Sequence, residues 1–172
     1  IVTGDWSSDV CSSDLWWPDQ SIKRREAIAS AIKGVLTMSD QYFEDQQGIR
    51  ALLERYCEGV NQRDAAVWGS TWAEDAVWEL PHLDMEGLQG RETIVGAWLE
   101  AMKMFPFVNM MAMPGVITVD GECATMRSYT DEVAVTQDGT ELRPRGQYDD
   151  ECVKVDGEWK FSRRVFKVLH GE

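Results

Sequence analysis

Residues 49–61, with the sequence IRALLERYCEGVN, carry the pattern that decides the fold of this chain. Their apolar members recur at helical spacing, in the order Ile49, Leu52, Leu53, Tyr56, Cys57 and Val60. Side chains with this spacing share one face of an α-helix, and a helix with one apolar face packs on a broad apolar surface. The segment therefore predicts an amphipathic helix that covers a sheet, with Asp45 as its N-cap.

The second half of the chain predicts that sheet, because its apolar and polar residues alternate. Four such stretches follow one another and cover residues 108–119, 123–136, 140–155 and 158–169. Asp120-Gly121 and Asp156-Gly157 are typical of tight hairpin turns, and Pro114-Gly115 predicts a bulge inside the first stretch. Four strands joined by short connections predict an antiparallel meander.

The region between the helix and the meander predicts shorter elements. They are a helix over residues 65–72 capped by Asp64, a strand over 76–80, a loop over 81–89 and a helix over 91–104. Three helices, one short strand and four long strands are typical of an α+β fold, in which helices pack on one face of a curved antiparallel sheet.

Residues 1–37 are predicted to lie outside this domain. Residues 5–15, DWSSDVCSSDL, repeat SSD without an apolar period and read like the in-frame translation of a common short-read sequencing adapter. Residues 16–37 fit either a short basic helix or translated sequence upstream of a native start at Met38. We expect residues 1–37 to be a non-native or disordered extension and residues 38–172 to form the domain.

Charge and cysteine usage narrow the class of function. The formal net charge of −13 argues against nucleic acid and anionic membrane surfaces as partners, since both bind basic patches. The four cysteines form no CxxC pair, which indicates free thiols in a reducing, cytoplasmic compartment. The sequence has no His and Cys cluster at ligand spacing and no glycine-rich phosphate loop, so neither a metal nor a cofactor is predicted.

Five segments, in their order along the chain, resemble the SnoaL-like branch of the nuclear transport factor 2-like superfamily. They are RYCEGVNQRD, WAEDAVW, GRETIVGAW, VDGECATMRSY and YDDECVKVDGEWKF. The resemblance covers about residues 42–170 and implies a cone-shaped α+β barrel with a pocket at one open end. Ketosteroid isomerases, scytalone dehydratase, polyketide cyclases, dehydrochlorinases and non-catalytic binding domains share this fold, so the resemblance implies a fold more than an activity.

The resemblance carries over to individual site residues unevenly. Arg55-Tyr56 matches the pair that holds the oxyanion-hole tyrosine of ketosteroid isomerases, whose second oxyanion acid would fall at residues 150–151. Their aspartate base would fall near Leu80, so it is absent here. The histidine–aspartate pair of dehydratases and dehydrochlorinases would fall at residues 109–111 and at Asn61, so both partners are absent as well.

Tyr56 and Asp150 are the predicted catalytic residues. Tyr56 lies on the apolar stripe of the first helix, so its buried hydroxyl needs a partner. Asp150 shares one face of its strand with Tyr148 and Cys152, which we expect to point inward. A carboxyl group desolvated among aromatic side chains has a raised pKa and can exchange protons with a ligand.

Further residues are predicted to bind the substrate: Asn61, Trp78, Asn109, Met111, Arg127, Tyr129, Tyr148 and Arg164. The alternative for Asp150 is a structural ion pair with Arg127 or Arg164. Candidates for an apolar pocket wall, with plain core packing as the alternative, are Trp68, Trp72, Trp78, Met102, Phe105, Phe107 and Met111. His82 is predicted to be an exposed loop residue, with ligand binding as the alternative.

Two classes of function remain open. One is a cofactor-independent isomerase, dehydratase or cyclase that acts on a small apolar or polycyclic substrate by acid–base chemistry, without the histidine–aspartate pair. The other is a non-catalytic ligand-binding or assembly domain, or the small subunit of a ring-hydroxylating dioxygenase. In either case we expect a homodimer, because the outer face of the meander carries apolar residues among charges, namely Val133, Val135, Val153 and Val155.

Overall fold

The computed structural model describes residues 18–83 and 85–171, and the chain divides into two compact units between Asp40 and Gln41. The helices are α1 (Pro18–Gln62), α2 (Ala65–Gly69) and α3 (Arg91–Met102), with a 3₁₀ turn at Pro81–Leu83. The strands are β1 (Trp72–Leu80), β2 (Met85–Gln89), β3 (Phe107–Asp120), β4 (Cys123–Val135), β5 (Glu141–Leu142), β6 (Arg145–Val155) and β7 (Glu158–His170). The adapter-like residues 5–15 lie outside the described residues. None of the described helices is both long and apolar enough to span a membrane.

The first helix begins earlier than its sequence pattern predicts. Asp45 is not an N-cap, because α1 continues through it in both directions. Its buried carboxylate instead accepts hydrogen bonds from Lys154 Nζ at 2.6 Å and from Trp159 Nε1 at 3.1 Å. The predicted cap of the next helix is confirmed, since the Asp64 carboxylate accepts from the backbone amides of the first turn of α2.

All strands belong to one strongly curved sheet, in the order β2-β1-β7-β6-β4-β3, with β5 paired beside β4. Neighbouring strands are antiparallel except β1 and β7, which are parallel, so the predicted antiparallel sheet is in fact mixed. The predicted loop over residues 81–89 contains the edge strand β2. Pro144, which lacks an amide donor, separates β5 from β6 within the predicted third strand.

Alternation along the strands separates a buried inner face from an exposed outer face. On β4 the buried set is Ala124, Met126, Ser128 and Thr130, and on β6 it is Gly146, Tyr148, Asp150 and Cys152. The apolar stripe of α1 is buried as predicted, and its Tyr56 packs against Trp68 and Trp72 with ring centroids 5.5 and 6.1 Å away. The core therefore fills the concave side of the sheet, which the helices cover.

Candidate functional site

A cavity of about 430 Å³ lies among the 3₁₀ turn, the end of α3 and the inner faces of β1, β4, β6 and β7. Most of its lining is apolar, from Leu80, Leu83, Met102, Phe105, Val108, Ala134, Leu142, Pro144, Phe166 and Val168, with Gly171 at its edge. Four lining residues also carry a polar atom in the side chain, namely Trp78, His82, Glu132 and Tyr148, but the indole nitrogen of Trp78 is itself buried. A concave apolar site with few polar groups is typical of small-molecule binding.

Glu132 brings a carboxyl group into this apolar lining. It follows the buried Ser128 and Thr130 on β4 at intervals of two residues, so alternation turns it towards the cavity. Burial raises the pKa of Glu132, because a desolvated carboxylate is less stable than its neutral acid, while the positive charge of Arg164 opposes this shift. A glutamate with a raised pKa is a stronger base than a solvated one.

His82 is the second proton-exchanging group of the lining. It belongs to the 3₁₀ turn and is exposed on one side, as predicted, while its ring packs against Phe166 with centroids 5.2 Å apart. Partial burial lowers the pKa of His82, which favours the neutral imidazole. A neutral imidazole can both donate and accept a hydrogen bond.

Tyr148 lines the cavity and also packs against the aromatic core. The ring of Tyr148 lies 4.7 Å from that of Phe166 and 6.4 Å from that of Tyr56. Burial raises the pKa of both tyrosines, so their hydroxyl groups stay protonated. Tyr148 lines the cavity, whereas Tyr56 is packed behind it and is not among the lining residues.

Asp150 forms a fully buried ion pair with Arg164. The Nε and Nη2 atoms of Arg164 donate to the two carboxylate oxygens at 2.7 and 3.2 Å, and the Ser128 hydroxyl donates to Asp150 Oδ2 at 3.0 Å. Both charged side chains have an exposed fraction of 0%. Burial opposes the charge on Arg164, but the neighbouring Asp150 carboxylate holds the pKa of Arg164 above its ordinary value, so Arg164 keeps its positive charge. Burial raises the pKa of Asp150, and the positive charge of Arg164 opposes this shift.

Aromatic rings surround the guanidinium of this pair. Arg164 Cζ lies 3.8 Å from the ring centroid of Tyr148, 4.0 Å from that of Phe161 and 4.2 Å from that of Tyr56. These distances are those of cation–π contacts. The structure thus brings together four predicted site residues, Tyr56, Tyr148, Asp150 and Arg164, with Asp150 in the ion pair that was the predicted alternative.

The side chain of Asn61 binds the backbone of β3. Its amide nitrogen donates to the Met110 carbonyl at 2.8 Å, and its amide oxygen accepts from the Met110 amide at 2.6 Å. Asn109 is exposed and only approaches Asn61, with Nδ2 3.5 Å from Oδ1. Asn61 therefore fastens α1 to β3, and neither asparagine lines the cavity.

Three residues predicted to bind the substrate lie on the outer face of the sheet. Met111 and Tyr129 are 64% and 40% exposed, and Arg127 pairs with the exposed Asp149 at 2.9 Å. Their positions on β3 and β4 alternate with the buried residues, which is why they point away from the cavity. Of the predicted wall, Trp78, Met102 and Phe105 line the cavity, whereas the core holds Trp68 and Trp72, and Phe107 is exposed like Met111.

Glu132 is the site residue that the sequence interpretation missed, although a signal for it was present. Placing Val133 and Val135 on the outer face of the meander implies, by alternation, that Glu132 points inward. The contributions of Phe166 and Val168 depend on the parallel pairing of β1 with β7, which the sequence did not predict.

Gly146 on β6 lies directly beneath the ring of Phe166. A Cβ atom at this position would fall well inside van der Waals contact with that ring and 2.9 Å from Thr130 Oγ1. The absence of a side chain at residue 146 therefore allows Phe166 to occupy its place in the cavity wall. Among the described residues, no three His, Cys, Asp or Glu side chains are grouped so that they could hold a metal ion.

Several solved protein structures have a fold similar to that of this chain. A protein of unknown function from Mycobacterium tuberculosis is 25% identical, with a TM-score of 0.66 over 75% of this chain and 74% of that one. A hexachlorocyclohexane dehydrochlorinase from Novosphingobium barchaimii is 16% identical, with a TM-score of 0.67 over 76% and 90% of the two chains. A candidate scytalone dehydratase from Novosphingobium aromaticivorans is 20% identical, with a TM-score of 0.70 over 78% and 90%.

The last two similarities establish that the chain has the nuclear transport factor 2-like fold. They do not assign an activity to it, because one fold hosts many activities. No curated protein matches the chain by sequence. The SnoaL-like domain, however, matches residues 41–165, which include α1 from its buried stripe onward and most of the sheet. Since this match covers well over half of the sequence, the chain belongs to the SnoaL-like domain family.

Proposed function

We propose that the cavity binds a neutral, largely apolar small molecule and moves a proton on it, which makes the protein a cofactor-independent isomerase or lyase. The observation that carries this proposal is the presence of two proton-exchanging groups, Glu132 and His82, in one otherwise apolar cavity. Burial raises the pKa of Glu132 and lowers the pKa of His82, and both shifts favour the neutral form of the side chain. Shifted pKa values of this kind are common among the acids and bases of active sites.

The charges near the cavity support a neutral ligand. Neither lysine nor arginine is among the lining residues, so an anionic ligand would find no counter-charge there. The nearby positive charge of Arg164 is already neutralised by Asp150. A charged ligand would therefore lose its hydration without compensation, whereas an apolar ligand would gain by leaving water.

The chemistry that fits these groups begins with proton abstraction beside a carbonyl. Glu132 takes the proton, the C–H electron pair moves into an enolate, and the Tyr148 hydroxyl can donate to the enolate oxygen. Return of the proton to another carbon completes an isomerisation, and departure of a leaving group completes an elimination. His82, as a neutral imidazole, can accept or return a proton at a second position.

The comparison structures support the lyase or isomerase class, since their names include a dehydrochlorinase and a candidate dehydratase. This chain would use a different base, because residues 109–111 and Asn61, where the resemblance places the histidine–aspartate pair of those enzymes, include neither a histidine nor an aspartate. The catalytic roles assigned to Tyr56 and Asp150 stay predictions. Under the present proposal Tyr56 supports Tyr148, and Asp150 neutralises Arg164.

Proton exchange on a small ketone tests the proposal. β-Tetralone, a bicyclic ketone with acidic protons beside its carbonyl, is incubated with the protein in deuterium oxide, and loss of those protons is followed by NMR. We expect the protein to accelerate exchange over buffer, and Glu132→Gln to lose about a hundredfold or more of that acceleration, as is typical for a general base. His82→Asn should lose less, since its imidazole acts at a second position.

Matched surface variants separate a site effect from a general one. The first control is Glu122→Gln, because Glu122 lies in the exposed turn between β3 and β4. The second is His170→Asn, because His170 is the other histidine and is also exposed. Both variants should accelerate proton exchange on β-tetralone as much as the parent protein does. Binding of β-tetralone without any acceleration would instead identify a non-catalytic ligand-binding domain, and exchange that survives Glu132→Gln would remove Glu132 from the mechanism.

A further inference from the structure

We infer that Thr130 is a positioning residue, whose hydroxyl donates a hydrogen bond to the ionised carboxylate of Glu132 and so holds this base in place for proton transfer. The inference rests on the proposed function, because it takes Glu132 as the base of that reaction. It adds the residue that orients the base and favours its ionised form.

The hydroxyl group of Thr130 is buried without a hydrogen-bond partner. Thr130 has an exposed fraction of 5%, and its Oγ1 atom makes no hydrogen bond to the described residues. Such a group costs free energy, so it calls for an explanation. Two residues earlier on β4 a buried hydroxyl is used, since Ser128 donates to Asp150 Oδ2 at 3.0 Å. Thr130 therefore carries a donor that the fold itself leaves free.

The strands on either side of β4 place no acceptor side chain opposite Thr130. It is in register with Ala112 on β3 and with Gly146 on β6, and neither has a polar side chain. The hydroxyl extends towards Gly146, because a Cβ atom there would lie 2.9 Å from Thr130 Oγ1. The same-face neighbours along β4 itself remain as partners for this donor.

Glu132 is such a neighbour. Residues two apart on a strand share a face, with Cα atoms about 7 Å from each other, a distance that a glutamate side chain can bridge. Burial raises the pKa of Glu132, and the Thr130 hydroxyl opposes this rise, as a donor close to the carboxylate should. Position and chemistry therefore both indicate the Glu132 carboxylate as the acceptor.

A hydrogen bond from Thr130 would serve the base in two ways. It would fix a side chain with several rotatable bonds, so that less ordering is needed when the proton is transferred. It would also favour the charged form of Glu132, which is the form that accepts a proton. Because a carboxylate has a second oxygen, holding one oxygen leaves the other free to take the proton.

Proton exchange on β-tetralone in deuterium oxide tests the inference with three variants. Thr130→Val keeps the shape of the side chain and removes the hydroxyl, whereas Thr130→Ser keeps the hydroxyl. We expect Thr130→Val to lower the exchange rate at saturating β-tetralone about tenfold with KM unchanged, as for the loss of one charge-assisted hydrogen bond. Thr130→Ser should retain most of the rate. Thr125→Val is the matched control, because Thr125 is exposed on the outer face of β4.

Two further measurements separate positioning from a structural role. Without its donor the ionised carboxylate is less stable, so the pKa of Glu132 should be higher in Thr130→Val than in the parent protein. NMR titration of the Glu132 carboxyl carbon, assigned with Glu132→Gln, measures this pKa without substrate. In urea denaturation Thr130→Val should be at least as stable as the parent protein, since the fold loses no hydrogen bond.

The inference and the proposed function fail in different ways. An unchanged rate and an unchanged pKa of Glu132 in Thr130→Val would overturn the inference and leave the proposed reaction intact. Destabilisation or unfolding of Thr130→Val, or an equal loss of rate in Thr125→Val or Thr130→Ser, would overturn the inference as well. A parent protein without exchange, whose Glu132 pKa still rises in Thr130→Val, would reject the reaction and keep the hydrogen bond.

Discussion

Two adjacent aspartates on β6 show how differently the two faces of the sheet treat the same chemistry. Asp149 points outward and pairs with Arg127 at 2.9 Å, with both side chains about half exposed. Asp150 points inward and pairs with Arg164 at 2.7 Å, with both side chains fully buried. The distances are nearly equal, so burial sets the consequence of losing each pair: solvent replaces an outer partner, whereas the inner arginine would be left with an uncompensated charge.

The largest expected effect is that of breaking the inner pair. Asp150→Asn should lower the free energy of unfolding by about 3–5 kcal/mol, because Arg164 has an exposed fraction of 0% and keeps its charge. Urea denaturation followed by tryptophan fluorescence measures this change. The outer counterpart, Asp149→Asn, should unfold within measurement error of the parent protein.

The same pair of variants also tests the catalytic role predicted for Asp150. If Asp150→Asn stays as stable as the parent protein and instead loses ligand binding or turnover, the contrast between the two faces is wrong for this residue. Equal destabilisation by Asp149→Asn and Asp150→Asn would show that the contrast does not depend on burial.

The second effect concerns the outer face, which we predict to be the surface of a homodimer. Beside the half-buried Val133 and Val135, β3 exposes large apolar side chains there, among them Met111 and Met113, the latter 70% exposed. Met113→Lys should shift the mass in light scattering from dimer to monomer, since a charge would be buried in the interface. Leu99→Lys on the exposed side of α3 is the control, and a monomer in the parent protein would reject the dimer.

The smallest effect concerns the pH dependence of stability on the inner face. The pKa of Glu132 is raised in the folded state, so the folded protein holds this proton more tightly than the unfolded chain does. Ionising Glu132 therefore costs stability as pH rises from 4.5 through the folded pKa. Glu132→Gln should be more stable than the parent protein at neutral pH and no more stable below pH 4.5 in urea denaturation.

Glu122→Gln is the matched control for this measurement, because its side chain lies in an exposed turn. It should reproduce the pH dependence of the parent protein. A loss of stability in Glu132→Gln at neutral pH would show that the carboxylate stabilises the folded state. That result would contradict the prediction that its ionisation destabilises the fold.

The fold was predictable because its signals are local. The helical stripe of α1, the alternation of the long strands and the turn at Asp156-Gly157 each depend on neighbours in sequence, and the structure confirms them. The prediction of Asp45 as an N-cap was wrong because its role depends on distant residues. Its partners Lys154 and Trp159 lie more than a hundred residues away in the sequence. The edge strand β2 was missed because its short segment lies between turn residues.

The candidate site was predicted less completely, because a cavity depends on how distant strands meet. Trp78 and Tyr148, which the sequence predicted to bind the substrate, both line the cavity, and their binding role stays a prediction. The parallel pairing of β1 with β7, which the sequence did not predict, brings Phe166 beside His82 in the 3₁₀ turn. Alternation could have identified Glu132 from the sequence. It could not have shown that Arg164, and not Arg127, faces Asp150, since that choice requires the phase of both neighbouring strands.

Gly146 has a consequence for how proteins of this kind diversify. Gly146 is not among the lining residues, but the ring of Phe166 packs against it, and that ring both lines the cavity and contacts His82. One added methyl group at residue 146 would displace the ring and so alter the volume and the histidine together. If the cavity binds a small molecule, as proposed, the range of ligands can therefore evolve through a position outside the cavity lining, and a mutant library restricted to the lining would leave out this route.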